Sequence, residues 1–233
     1  MKTASIIIIG NEILSGRTQD TNSNFLAKML VERGISLEEI RVIPDNHRII
    51  KDVVYKEASA KDYVFTSGGI GPTHDDITAE AIASCFDVPL SVRNDAVKLL
   101  AMNYKNGTKD LNEARLRMAR IPKGAKLIKN KISGAPGFVI RNVFVMAGVP
   151  KIFEAMAQEI ILDLGSKNPI LSKVLKIFKT ESEIAERLRN YANKYKEISI
   201  GSYPFNNSGK FGVEIVIRHT DRNLLNKVFN EIS

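Results

Sequence analysis

The sequence has few of the residues from which several kinds of site are built. A single cysteine, Cys85, in 233 residues allows no intramolecular disulfide, no thiolate zinc site and no Cys-x-x-Cys redox pair, and it points to a reducing compartment. The three histidines, His47, His74 and His219, share no metal-ligand spacing, and tryptophan is absent. The four-isoleucine run that ends at Gly10 is too short for a secretory core and far below the roughly 20 apolar residues that cross a bilayer. Internal repeats and low-complexity segments are also missing. The expectation is a cytoplasmic protein with no membrane partner.

What is present is ordinary globular composition. Hydrophobic residues make up 44% and charged residues 26% of the chain, which excludes disorder, collagen and coiled coil and leaves length for one large or two unequal domains. Lys plus Arg number 34 against 26 Asp plus Glu, for a net charge of +8, so anionic partners are favoured. Part of the excess lies in Arg115, Arg117, Arg120, Lys123, Lys126, Lys129 and Lys131. That run reads either as a solvated face or as a clamp for a polyanionic ligand. Nucleic acid is not expected as a partner, because no aromatic residues interleave the basic run and no binding motif accompanies it.

Ser5 to Ile9 is a β-branched apolar run, the pattern of a strand buried on both faces. Helix Thr21–Arg33, strand Ile40–Ile43, helix Ile49–Ala60 and strand Tyr63–Thr66 follow. This alternation predicts βαβ units in a three-layer α/β domain with a mostly parallel sheet. Helices are expected from about Asp76 to Phe86, Asn94 to Tyr104 and Leu111 to Ala119, then strands at Phe138–Ile140 and Val143–Ala147 and a helix after Pro150. From residue 168 to 233 the pattern becomes a small α+β βαββα domain, with Asn207-Ser208-Gly209 turning its last two strands. The first domain is placed at residues 1–167.

Ligands of open parallel sheets bind beyond the carboxyl ends of the strands. Two loops there stand out, Gly10-Asn11-Glu12-Ile13-Leu14-Ser15-Gly16 and Thr66-Ser67-Gly68-Gly69-Ile70-Gly71-Pro72-Thr73-His74-Asp75-Asp76. Glycines bring backbone amides close to a ligand, and a following helix adds its positive end, which together suit phosphate. Asp75 and Asp76 would repel that phosphate unless a divalent cation sat between them. The other reading makes Thr73 a helix cap and the aspartates partners of the helix dipole. Glu12 reads as a solvated loop residue or as a site carboxylate, His74 as a solvated histidine and Cys85 as core.

These loops, with Thr21-Asn22 and Thr78, closely resemble the molybdopterin-binding-like domain of CinA proteins and the N-terminal domain of animal FAD synthase. Ala119–Pro122 with Gly124-Ala125, then Gly134–Phe138, Ala147–Pro150 and Ile200–Pro204 continue the resemblance in order. It implies a fold related to MoaB and Mog proteins, a homo-oligomer, and a metal-dependent pyrophosphatase splitting ADP-ribose or FAD, with magnesium, manganese or cobalt, potassium as a further activator, and no organic cofactor. Molybdopterin binding or adenylylation, or a non-catalytic nucleotide- or pterin-binding module, are the alternatives. The resemblance implies catalytic Asp76, Asp75 and Glu12, with the two aspartates as metal ligands. Phosphate or ligand contacts fall to Gly10, Asn11, Gly16, Ser67, Gly68, Gly69, Gly71, Pro72, Thr73 and Thr78. Asn11 stands where the family often has aspartate, and the usual glutamate after the Gly-Val-Pro block is displaced to Glu154. With the sequence ending at Ser233, neither the amidase domain of longer CinA proteins nor an FAD-making domain is expected.

Overall fold

A computed structural model of the chain describes residues 2–164, 169–207 and 209–233. It divides into two units, Met1–Gly165 and Ser166–Ser233. The expected boundary at residues 167 and 168, and Ser208 of the expected turn, lie outside the described residues.

In the first unit the elements run β1 (Lys2–Ile9), α1 (Asn11–Leu14), α2 (Asn22–Glu32), β2 (Ile35–Ile43), α3 (His47–Ala60), β3 (Tyr63–Ser67), α4 (Thr78–Cys85), β4 (Leu90–Val92) and α5 (Asn94–Ala101). After a 3-10 turn at Gly107–Asp110 come α6 (Glu113–Arg117), β5 (Arg120–Pro122), β6 (Lys126–Ile128), β7 (Gly137–Ile140), β8 (Val143–Met146) and α7 (Pro150–Ile161). Six strands form one sheet in the order β2-β1-β3-β8-β7-β6. The strands β2, β1, β3 and β8 are parallel to one another, while β7 is antiparallel to both β8 and β6.

The isoleucine run explains the layering. Alternate side chains of a strand point to opposite faces, so Ala4, Ile6 and Ile8 pack with Leu26 and Leu30 of α2 and Phe153, Met156 and Ile160 of α7. Ile7 and Ile9 pack on the other side with Ile50 and Val54 of α3, Ile82 of α4 and Leu100 of α5. Both faces of β1 are therefore dry, and each buried isoleucine contributes about 1.5–3 kcal/mol relative to an exposed one. The carboxyl ends of the parallel strands β1, β3 and β8 lie together at one edge of the sheet, and the loops that leave them form the site.

The second unit holds β9 (Leu171–Ile177), α8 (Glu181–Lys194), β10 (Ser199–Asn207), β11 (Lys210–His219) and α9 (Arg222–Ile232). Its sheet is antiparallel in the order β10-β11-β9. Val213, Ile215 and Ile217 form its core with Ile184 of α8 and Leu225 and Val228 of α9. Thr180 and Glu183 make a reciprocal capping box at the start of α8, and the Asp221 carboxylate caps α9.

Several boundaries differ from expectation for physical reasons. The helix expected from Asp76 begins at Thr78, because the Thr78 amide donates to the Gly69 carbonyl at 2.9 Å while Asp76 is held in a turn with Thr73. Thr73 is not a helix cap; the N-cap position is Ile77, which has no capping side chain. The expected helix to Tyr104 stops at Ala101, and the next stops at Arg117. The three-residue strands β4, β5 and β6 have no sequence signal of their own; β4 and β5 form a separate ladder, and β6 closes the main sheet.

Candidate functional site

The turn that leaves β3 is fixed by close packing. Gly68 has φ 111°, and a Cβ there would run into the carbonyl oxygen of Ile9 at the end of β1. Next to it, Gly69 lies against the Thr78 hydroxyl, with no space for a side chain between them. A Cβ on Gly71 would meet the Asp76 carboxylate at 2.6 Å, so this glycine lets the carboxylate fold back toward the turn.

Within the turn, the Gly68 amide donates to Met146, Thr73 to Asp76 Oδ2, Asp76 to Thr73 and Thr78 to Gly69. The amides of Gly69, Ile70 and Gly71 have no acceptor among the described residues. Three successive donors without an acceptor in a glycine turn are groups that an anion can engage. Asp76 borders this turn, its Oδ2 accepting from the Thr73 amide at 2.8 Å and from the Thr73 hydroxyl at 2.5 Å. Exposed Asp75 is held below the usual carboxylate range first by the same Thr73 hydroxyl, then by a backbone amide and His74. That hydroxyl has one proton, and in the structure it is donated to Asp76 Oδ2.

The turn forms one wall of a cleft of about 380 Å³. Ile70, Met118, Val149 and Ile152 supply apolar surface, and Glu12, Asp76, Asn130 and Ser133 supply polar groups. This mixture suits a small molecule with both apolar and polar parts. A smaller annex of about 40 Å³ adjoins it, lined by Glu12, Asp20, Asn22, Ser67 and Gly148 among others.

Of the residues singled out from sequence, the cleft brings together Glu12, Gly68, Gly69, Gly71, Pro72 and Asp76. Ser67 lines the annex instead. Gly10, Asn11, Gly16, Thr73, Asp75 and Thr78 do not line either space. The first loop is a short helix, α1, whose Asn11 amide donates to Asp45 at 2.9 Å. Thr73 and Thr78 act from behind the wall, Thr73 by holding Asp76 and Thr78 by closing the turn on Gly69. His74 is exposed and Cys85 packs partly buried against the core, where burial pushes its thiol up.

Among the site components that sequence reasoning missed are Asn22, Asn130 and Met118. Buried Asn22 donates from Nδ2 to Ser67 Oγ at 2.9 Å and to the Gly148 carbonyl at 2.8 Å, tying the ends of β3 and β8 together. The Gly148 carbonyl requires a donor, which fixes the amide's orientation and leaves Asn22 Oδ1 buried without a partner. Asn130 holds its own loop, donating to Ser133 and Ala135 and accepting from the amides of Ile132 and Ser133. Met118 supplies apolar wall. The available signal was Asn22 directly after Thr21 in a resembling block; Asn130 and Met118 had none.

No group of three or more His, Cys, Asp or Glu among the described residues is placed to hold a metal ion. No described helix is long and apolar enough to cross a membrane.

Comparison with known proteins bears on the same features. Residues 5–171 match the family described as a probable molybdopterin binding domain, and residues 169–233 match the middle domain of FAD synthase. The crystal structure of a CinA protein of unknown function from Thermoplasma acidophilum is 37% identical, covering 70% of this chain and 97% of that one, with a TM-score of 0.64. A CinA-like protein of Sulfurihydrogenibium is 34% identical over 86% of this chain and 51% of its own length. A probable FAD synthase of Caenorhabditis briggsae is 33% identical over 87% and 43% respectively. The chain spans about half the length of these two relatives. Because the family match runs through both glycine loops and the strands that carry them, the chain belongs to the molybdopterin-binding-domain family, as a CinA-type member.

Proposed function

We propose that this chain hydrolyses the diphosphate bond of a dinucleotide-like substrate such as ADP-ribose or FAD. The observation that carries the reading is the row of free Gly69, Ile70 and Gly71 amides directly beside the Asp76 carboxylate, at the wall of a cleft with apolar surface. The amides receive phosphate oxygens, and the apolar wall accepts the heterocycle. Asp76 would hold a divalent cation together with the phosphate, supplying charge neutralisation and a lower water pKa, whereas Asp75 lies outside the cleft lining. Glu12, which lines the same cleft, orients the attacking water and accepts its proton. Water oxygen bonds to one phosphorus, the bridging P–O bond breaks, and two phosphomonoesters leave.

A second reading is binding or adenylylation of molybdopterin, which the description of the matching family favours. A flat pterin with its phosphate meets the same wall and the same amides. A nucleotide- or pterin-binding module without turnover is the third.

The experiment is release of AMP from ADP-ribose and FAD by the purified chain with magnesium, manganese or cobalt, with and without potassium, beside Asp76→Asn. Hydrolysis that the variant loses at least 1,000-fold, at unchanged melting temperature, supports the pyrophosphatase; roughly this loss follows removal of a group on which transition-state charge depends. Equal rates in parent and variant overturn the mechanism. Pterin retained through purification supports the second reading, and nucleotide binding without turnover with any ion supports the third.

A further inference from the structure

The basic run divides by residue type. Lys123, Lys126, Lys129 and Lys131 are exposed, whereas Arg115, Arg117 and Arg120 are half-buried. Arg115 donates to the Asp110 carbonyl and lies over the Tyr104 ring, 4.4 Å from its centroid. Arg120 is paired with Glu80 at 2.5 Å. Arg117 has no carboxylate partner among the described residues. Its Nη2 reaches only the backbone carbonyl of Asp76, at 3.4 Å, and its Nε is buried with no partner.

Arg117 borders a small side pocket that shares Ile70, Gly71, Asp76 and Met118 with the main cleft. A half-buried cation without a counter-charge, and a buried N–H without an acceptor, are both costly. Here they stand next to the turn whose three amides also lack acceptors. An anion held on that turn would give Arg117 a counter-charge. A guanidinium presents a planar fork that matches phosphate, and a charge-assisted bond to it is stronger than a neutral one.

We propose that Arg117 is the counter-charge for the anion held on the Gly69–Gly71 turn, and thereby selects a doubly charged diphosphate over neutral or singly charged ligands. The proposal rests on the phosphate reading of the turn. The rival role for Arg117 is structural, holding the Asp76 carbonyl and so shaping the turn.

The test is calorimetric binding of inorganic pyrophosphate and of ADP-ribose to the full chain, to Arg117→Gln and to Arg117→Lys, at low and at moderate salt, with thermal unfolding of each protein. Gln keeps a hydrogen-bond donor and loses the charge; Lys keeps the charge and loses the fork. The expected result is a roughly ten- to hundredfold weaker pyrophosphate affinity for the Gln variant, the range of one charge-assisted hydrogen bond. The Lys variant recovers part of that loss. Salt weakens the Gln variant's binding less than the parent's, since screening acts on the removed charge. Melting temperatures stay equal.

Parent-like pyrophosphate affinity in Arg117→Gln overturns the proposal and leaves the phosphate turn standing. A melting temperature lowered in both variants, with affinity lost equally in both, assigns Arg117 the structural role and also overturns it. A parent that binds neither pyrophosphate nor ADP-ribose brings down the phosphate reading itself and this inference with it.

Discussion

The two glycine-bearing loops look alike as sequence and differ in what their glycines do. In the first, Gly10 is extended, and the only atoms that crowd it belong to the flexible end of Glu12; Gly16 has φ 72° but open space around it. In the second, Gly68 is closed in by the backbone of another strand and Gly71 by a site carboxylate. Glycine in the first loop is a local conformational choice. In the second it is a spacing requirement imposed by neighbours distant in sequence, and that is where the free amides and Asp76 lie.

Substitution at each glycine would break or sharpen this contrast. The largest effect is expected for Gly68→Ala. Its positive φ and its clash with the Ile9 carbonyl have no soft neighbour to yield, so a loss of at least about 3 kcal/mol is expected from denaturant unfolding. If Gly68→Ala unfolds at the parent's midpoint, the claimed close packing is wrong.

Gly71→Ala comes next, with its main effect on the site rather than on the fold. The backbone needs no rare conformation there, but the Asp76 carboxylate must move from its bond with Thr73. The expected outcome is at least a tenfold fall in ADP-ribose hydrolysis for a stability change within about 1 kcal/mol, the size of one lost hydrogen bond. A large stability loss with activity per folded molecule unchanged would reverse that assignment.

The smallest effect is expected for Gly16→Ala, where only the left-handed backbone resists, at about 1 kcal/mol. Urea midpoints of Gly16→Ala and Gly68→Ala measured side by side give the contrast as one number. Equal losses would erase the difference between the loops.

Much of the architecture could be read from sequence because it rests on local pattern. The Ser5–Ile9 run could only be a strand dry on both faces, and its alternating contacts with α2 and α7 on one side and α3 and α4 on the other agree. The second loop was legible because three glycines before two aspartates have few physical uses. What was not legible depends on long-range partners. The ladder of β4 with β5 joins Leu90 to Pro122 through three-residue strands that carry no pattern alone. Thr78 rather than Asp76 opens α4 because a carbonyl nine positions back takes its amide. The basic run hid a division between exposed lysines and inward arginines that only packing reveals. Asn22 looked like part of a helix start; its two bonds to Ser67 and Gly148 exist only once β3 and β8 lie side by side.

The meeting of Ile9, Gly68 and Gly148 sets a limit on how this scaffold can change. A Cβ on Gly148 would come within 3.2 Å of the Gly68 Cα, and one on Gly68 would strike Ile9, so three strand ends converge where no side chain can be inserted. Substitution in the cleft is thereby easier at Met118, Val149 and Ile152, which line it without entering this crossing. On the proposed function, the part of the cleft that would take the apolar end of the ligand can be altered while the turn that would take its phosphate keeps its packing.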